Sequence, residues 1–267
     1  MLDPFMLIAG PCVLEDDGLN LAVAHALAGL SAKLGLRVVF KASFDKANRA
    51  GLDSPRGPGL AAGLELLASV KAASGLAVLT DIHEASQAAP VAAVADILQI
   101  PAFLCRQTDL LVAAAATGRP VNVKKGQWMA PEEMAGAVDK LRRSGASGVS
   151  VTERGTALGY GDLVVDMRSF RRLRAATGAH VFFDGTHAVQ RSGRDAGSSG
   201  GDPEYIPALV RAATAAGCDG LYLETHPDPA SAPSDGATML PLDALPALMR
   251  DALAIRAALA HHAGEDS

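Results

Sequence analysis

The chain has 267 residues, 49% hydrophobic and 20% charged, with a net charge of −5 and a pI near 5.8. That balance supplies a large core and excludes a protein that draws polyanions such as nucleic acid by its overall field. No run approaches the ~18–20 apolar residues of a membrane span. The start from Met1 to Phe5 lacks the basic region of a signal peptide. Three widely spaced cysteines make no disulfide framework, so a reduced, cytoplasmic chain is expected.

Along the chain, short apolar runs alternate with longer Ala/Leu-rich stretches. Strands are predicted at 5–11, 37–43, 76–82, 95–101, 120–124, 148–153, 180–184 and 219–224. Helices are predicted at 19–34, 59–73, 86–94, 107–117, 131–143, 166–177, 203–216 and 241–262. Val38-Val39-Phe40 and Val181-Phe182-Phe183 are unbroken apolar runs, as parallel strands covered on both faces require. Gly35, Gly75, Gly118, Gly145, Gly178 and Gly217 punctuate the helix ends. Eight such units in this length favour one α/β domain over residues 1–267, a single (β/α)8 TIM barrel, ahead of a doubly wound open sheet.

In such a barrel the working face lies at the C-terminal ends of the strands. Those ends carry Cys12, Lys41 and Ser43, Asp81 and His83, Gln99, Lys124 and Lys125, Glu153 and Arg154, Asp184 and His187, and Glu224 and His226. Polar loops explain one or two strands; all eight call for a site. Cys12 leaves strand 1, His187 follows strand 7, and Glu224 and Asp235 belong to strand 8 and the loop after it. A closed barrel sets strands 7, 8 and 1 side by side, so the four side chains can meet. A thiolate, an imidazole and two carboxylates suit a borderline divalent ion such as Mn, Fe, Co or Zn. Cys105 and Cys218 read instead as small core residues.

Lys41, Lys46, Arg49, Arg106, Lys124, Lys125 and Arg154 gather at the same face of an acidic chain, which points to phosphate or carboxylate ligands. Lys41 and Lys124 stand in apolar strands, where a lysine without an anionic partner is costly. Arg168, Arg171, Arg172 and Arg174 read as a solvated helix face. The stretch Gly197-Ser198-Ser199-Gly200-Gly201 lacks the Walker pattern and reads as a mobile loop over the mouth.

These blocks resemble the 3-deoxy-D-manno-octulosonate 8-phosphate synthases from end to end. They run Ile8-Ala-Gly-Pro-Cys12, Phe40-Lys-Ala-Ser-Phe-Asp-Lys-Ala-Asn-Arg49, Arg56-Gly-Pro-Gly59, Thr80-Asp-Ile-His-Glu84 and Gln99 through Asp109. They continue through Val121-Asn-Val-Lys-Lys-Gly-Gln127, Thr152-Glu-Arg-Gly155, Gly159 through Asp166, Asp184-Gly-Thr-His-Ala-Val-Gln190 and Glu224-Thr-His-Pro-Asp-Pro229. The metal-independent branch of that family usually has Asn in place of Cys12, so the resemblance is to the metal-dependent branch.

The resemblance implies a homotetramer feeding lipopolysaccharide synthesis, and the charge and apolar runs already predict no nucleic acid or membrane partner for the cytoplasmic chain. Phosphoenolpyruvate would condense with arabinose 5-phosphate and release phosphate. It also implies a divalent metal on Cys12, His187, Glu224 and Asp235, with Lys41, Ser43, Lys46, Lys124 and Arg154 holding phosphoenolpyruvate. Asn48 and Arg49 would meet the sugar phosphate, with Arg106 reaching in from a neighbouring subunit. Lys124, His187, Asp235 and Asp81 would be catalytic, and Gln190 would line the site.

Three departures bear on the acceptor and its surroundings: Ala50-Gly51 where Ser-Ser is usual, Gly200-Gly-Asp-Pro203 where Gly-Gly-x-Arg is common, and Gly185 where a side chain is usual. A heptulosonate phosphate synthase is the nearest alternative. It carries Lys-Pro-Arg-Thr where this chain has Lys46-Ala-Asn-Arg49. A phosphosugar-binding barrel without turnover is the alternative from another class, and an intact set of four ligands speaks against it.

Overall fold

The structure, a computed structural model, describes residues 5–49, 51–158, 160–195 and 198–265. Eight strands run parallel: β1 (Met6–Val13), β2 (Arg37–Ser43), β3 (Ala77–Asp81), β4 (Ile97–Ile100), β5 (Val121–Lys124), β6 (Val149–Glu153), β7 (His180–Asp184) and β8 (Gly220–His226). Each pairs with the next, and β8 pairs back onto β1 from Met6↔Gly220 to Gly10↔Glu224. The sheet is therefore a closed barrel, which sets aside the open-sheet alternative. The helices α1 (Asp17–Leu34), α2 (Leu60–Ser74), α3 (Ala88–Val94), α4 (Thr108–Ala116), α5 (Met134–Arg143), α6 (Ser169–Thr177), α7 (Ile206–Ala215) and α8 (Leu245–Glu265) follow the strands in turn. None of the described helices is long and apolar enough to cross a membrane.

Strand residues alternate between two faces. The outward rows, such as Leu7, Val38, Phe40, Val78, Val151, Phe183 and Leu223, pack in one core with the helices. The inward rows begin with a separate apolar floor of Met6, Ile8, Val39, Leu79, Ile97, Phe182 and Tyr222. Two residues further along, the same rows continue as Lys41, Asp81, Gln99, Asp184 and Glu224, all buried, beside Lys124 from β5. A floor side chain contributes roughly 1.5–3 kcal/mol on burial, whereas each buried ion above it costs several kcal/mol to desolvate. Apolar residues in the same places would stabilise the barrel at least as well, so stability alone does not account for the charged layer.

On one side the interior is filled by hydrogen bonds. Gln99 Nε2 donates to Asn122 Oδ1 (2.8 Å), and Asn122 Nδ2 donates to Ser150 Oγ (2.9 Å) and Thr152 Oγ1 (2.8 Å).

The strand boundaries match the predicted ones within two residues, but several helices begin later. Short 3-10 turns at Ala85–Gln87, Pro131–Glu133 and Pro203–Tyr205 precede α3, α5 and α7. Asp166 delays α6, because its carboxylate accepts from the Arg168 amide (3.0 Å). In the stretch read as a mobile loop, Ser198–Gly201 pairs antiparallel with Gln190–Asp195; Gly197 lies outside the described residues. Thr156–Ala157 and Leu163–Val164 form a second small antiparallel pair.

Candidate active site

The site starts from a local distortion of β1. Its pairing with β2 runs Ala9↔Phe40, then resumes at Cys12↔Ala42, so one extra residue is accommodated. Gly10 makes this possible, since a Cβ there would stand 1.9 Å from the Lys41 carbonyl oxygen. Cys12 then takes a left-handed backbone conformation (φ 69°), and Asp235 does the same (φ 52°). They are the only non-glycine residues with positive φ among the described residues. Such backbone costs of order 1 kcal/mol or more and persists where its surroundings enforce it. The two residues meet: Cys12 Sγ lies 3.3 Å from Asp235 Oδ2.

Glu224 joins them, and one donor atom from each of the three lies within 4.8 Å of the others. His187 Nε2 faces the same place, 3.7 Å from Glu224 Oε2 and 3.9 Å from Asp235 Oδ2. Donors bound to one ion at about 2.0–2.3 Å lie roughly this far apart, so the set fits a divalent metal. The other ring nitrogen of His187, Nδ1, sits 2.8 Å from Asp184 Oδ2, and Asp184 Oδ1 accepts from the His187 amide (2.8 Å). An imidazole fixed by a carboxylate in this way is a common support for a metal-binding ring.

Burial, then the Glu224 charge, pushes the Cys12 thiol well above its ordinary range, so without a cation it stays protonated. Metal binding at this sulfur would release that proton. Burial works against ionisation of Glu224 and Asp235 too. Electrostatic attraction to His187 and to the neighbouring lysines outweighs it and holds both carboxylates below their usual range.

Four cations face the acids. Lys41 Nζ donates to Ser43 Oγ (2.9 Å), Glu224 Oε1 (3.3 Å) and the Cys12 carbonyl (3.2 Å). Lys46, half-buried, also donates to Ser43 Oγ (3.1 Å), which in turn donates to Asp81 Oδ1 (2.5 Å). The Ser43 hydroxyl thus fills its two acceptor sites and its one donor. Lys124 Nζ reaches Asp184 Oδ2 (2.7 Å) and stands 3.7 Å over the Tyr222 ring. Burial, opposed by Asp184, lowers its pKa. Arg154 donates to Gln190 Oε1 (2.5 Å), and Gln190 Nε2 donates to Asp235 Oδ1 (3.1 Å). The result is alternating charge: Lys41, Lys46, Lys124 and Arg154 against Asp81, Asp184, Glu224 and Asp235.

Beside this cluster opens a cleft of ≈ 680 Å³, lined by Arg49, Ser54, Pro203, Ser234 and Asp235 among others. Arg49 is held in it by the carbonyls of Pro55 and Pro233 (both 2.9 Å). Asn48, the residue before it in the chain, is exposed. Ala50 lies outside the described residues, but Ser54 supplies a hydroxyl in the cleft, as does Ser234. Pro203 is part of the wall. Gly185 has a packing reason, since a Cβ there would press on Leu223 and Val210 at 2.9 Å.

Not every expected residue joins. Arg106 is exposed on the connection after β4 and lines a separate small pocket with Glu133 and Lys140 of the α5 region. Lys125 turns away, holding the Gly126, Met129 and Gly155 carbonyls (all 3.3 Å) beside Glu153. His226 is buried against Glu15 (3.1 Å). The arginines of α6 bridge to surface acids, as a solvated face should: Arg168 to Asp166, Arg172 to Glu132 and Arg174 to Asp219.

Three participants carried no assigned role in the sequence. Asp184 orients both Lys124 and His187. Thr186 Oγ1 accepts from the Glu224 amide (3.1 Å) and donates to Asp184 (3.1 Å). Tyr222 underlies Lys124. For Tyr222 a signal existed: it stands two residues before Glu224, hence in the same inward row.

A barrel whose mouth interleaves buried cations with acids, beside a donor set for a divalent ion, is that of an enzyme acting on small anionic molecules. Over residues 2–254 the chain matches the DAHP synthetase I family, and it belongs to that family. It is 56% identical over 249 residues to a 2-dehydro-3-deoxyphosphooctonate aldolase of Nitratidesulfovibrio vulgaris, covering 93% of this chain and 91% of that protein. It is 54% identical over 254 residues to a protein of the same name from Bradyrhizobium diazoefficiens, covering 95% and 90%.

Proposed function

We propose that this chain is a metal-dependent transferase. It condenses phosphoenolpyruvate with D-arabinose 5-phosphate and yields 3-deoxy-D-manno-octulosonate 8-phosphate and phosphate. The observation that carries the reading is the meeting of Cys12, Glu224 and Asp235, with His187 facing them, inside a ring of buried cations. The relatives, named for a phosphorylated octonate, favour the eight-carbon product over a heptulosonate.

A divalent ion (Mn, Fe, Co or Zn) on Cys12, His187, Glu224 and Asp235 would supply Lewis-acid polarisation of an aldehyde or a water. Lys41, Lys46, Lys124 and Arg154 would bind the phosphate and carboxylate of phosphoenolpyruvate and stabilise the charge that develops on them. Ser43 would position the two lysines. In the protein alone those four cations are matched by four carboxylates, so the ion's added charge favours an anionic substrate. Arg49 and Asn48, with Ser54 and Ser234, would take the sugar phosphate in the adjoining cleft.

Lys124 Nζ, shared with Asp184 and lowered in pKa by burial, is the group that would hold a proton during addition and phosphate loss. His187 is aimed by Asp184, and Asp81 fixes Ser43 and Lys41. Gln190 ties Arg154 to Asp235. The reading includes one catalytic domain, a cytoplasmic homotetramer serving lipopolysaccharide synthesis, and Arg106 crossing to a neighbour's mouth. The exposure of Arg106 away from its own mouth supports that last point.

The test is phosphate release from phosphoenolpyruvate with arabinose 5-phosphate or erythrose 4-phosphate, after chelation and after return of Mn, Zn or Co. Activity with arabinose 5-phosphate that disappears on chelation and returns with metal is expected. Preference for erythrose 4-phosphate would overturn the acceptor, and full activity after chelation would overturn the metal.

A further inference from the structure

Tyr222 is an aromatic of the barrel floor with a hydroxyl where its neighbours are purely apolar. Its ring is fully buried among Met6, Ile8, Val39, Leu79, Ile97 and Phe182. The Lys124 ammonium lies 3.7 Å over one face, and the His187 ring is 5.9 Å away. A ring so enclosed cannot swing, so its hydroxyl has a fixed address. A buried phenol is retained when it has a hydrogen-bond partner, and here the hydroxyl donates to Glu224 Oε1 at 3.1 Å. Lys41 Nζ donates to the same oxygen at 3.3 Å. The other oxygen, Oε2, is the one that faces His187 Nε2.

We propose that Tyr222 is a positioning residue for the metal centre: its hydroxyl, with Lys41, occupies Oε1 of Glu224 and presents Oε2 to the ion. This rests on the metal reading above. The role is distinct from the ring's contact with Lys124, which phenylalanine would keep. Removing an outer partner of a metal ligand typically weakens metal affinity about 10–100-fold. Tyr222→Phe should lose affinity in that range, because Glu224 is then held by Lys41 alone and its carboxylate is free to turn.

The experiment titrates Mn2+ into chelator-stripped wild type and Tyr222→Phe, reading free Mn2+ by electron paramagnetic resonance. The metal-free melting temperature of each and the KM for phosphoenolpyruvate at saturating Mn2+ are measured alongside. Weaker Mn2+ binding by tenfold or more, with melting temperature and KM retained, is the expected result. Equal Mn2+ affinity in the two proteins would overturn the role of Tyr222 while leaving the metal reading intact. Failure of the wild type to bind Mn2+, and equally Co2+ and Zn2+ in the same titration, would overturn both. A lowered melting temperature with unchanged affinity would make the hydroxyl a packing feature only and would also overturn the inference.

Discussion

Asp81 is a carboxylate among cations. Its oxygens meet Ser43 at 2.5 Å, His83 at 3.0 Å and Lys41 at 3.8 Å. Burial alone would raise its pKa; Lys41, His83 and Lys46 outweigh that and hold it well below the usual range. A depressed carboxylate stabilises the fold above its unfolded value, about 4, and loses that contribution as the pH falls through its folded value. Wild type should therefore melt higher than Asp81→Asn near pH 6, and the gap should narrow toward about pH 3. A constant gap would mean that the Asp81 charge contributes nothing to stability.

Arg49 acts on a different quantity. Its guanidinium is posed in the cleft by two carbonyls. Losing a charged contact of about 1.5–3 kcal/mol should raise the acceptor KM roughly tenfold to a hundredfold in Arg49→Ala, with little change in KM for phosphoenolpyruvate. An unchanged acceptor KM would place the sugar phosphate elsewhere. The types and strand-end positions of these residues were legible in the sequence, since lysines and acids interrupting apolar runs need a reason. Their partners were not. Ser43 accepting from two lysines, or Asp184 serving both Lys124 and His187, joins strands far apart in the chain.

Among the elements, β1 decides the site. Its bulge turns Cys12 toward Asp235, and the bulge depends on the close approach of Gly10 to the Lys41 carbonyl. Gly10→Ala would force β1 and β2 apart, a backbone clash that no side-chain rotation relieves. It should destabilise the protein by about 3 kcal/mol or more, read as a shifted urea midpoint, and it should weaken Mn2+ binding with it. Retained affinity would show that Cys12 reaches the cluster without the bulge. The apolar runs revealed the strands, and helix endings such as Gly35 (φ 60°) were marked by residue type. The delayed starts of α3, α5 and α7 were less visible, because 3-10 turns and helices share the same apolar spacing over three residues. The pairing of Gln190–Asp195 with Ser198–Gly201 was hidden by glycines and serines, which read as loop; the ladder is made by backbone groups, which side-chain type does not mark.

For the whole molecule, metal and stability should be linked. An ion that binds only the folded chain adds about 2.7 kcal/mol at a hundredfold excess over its Kd, or some 5–10 °C for a chain of this size. Mn2+ should raise the melting temperature of wild type by that order and leave Cys12→Ala, folded but without its thiolate, unmoved. An equal rise in both would place the ion away from Cys12.

The barrel itself was determined by the sequence. Eight apolar strands alternating with eight helical stretches admit few topologies, because parallel strands require right-handed crossovers. So was the chemistry of the mouth, since every inward row ends in a polar residue. Closure decided the rest. Pairing of β8 with β1 sets Gly10 opposite Glu224 and brings Cys12 to Asp235, 223 positions away in the chain. No local pattern encodes that meeting. It follows from strand register summed around the ring, and with it come the choice of which lysine faces the site, the turning away of Lys125, and the seat of Tyr222 beneath Glu224.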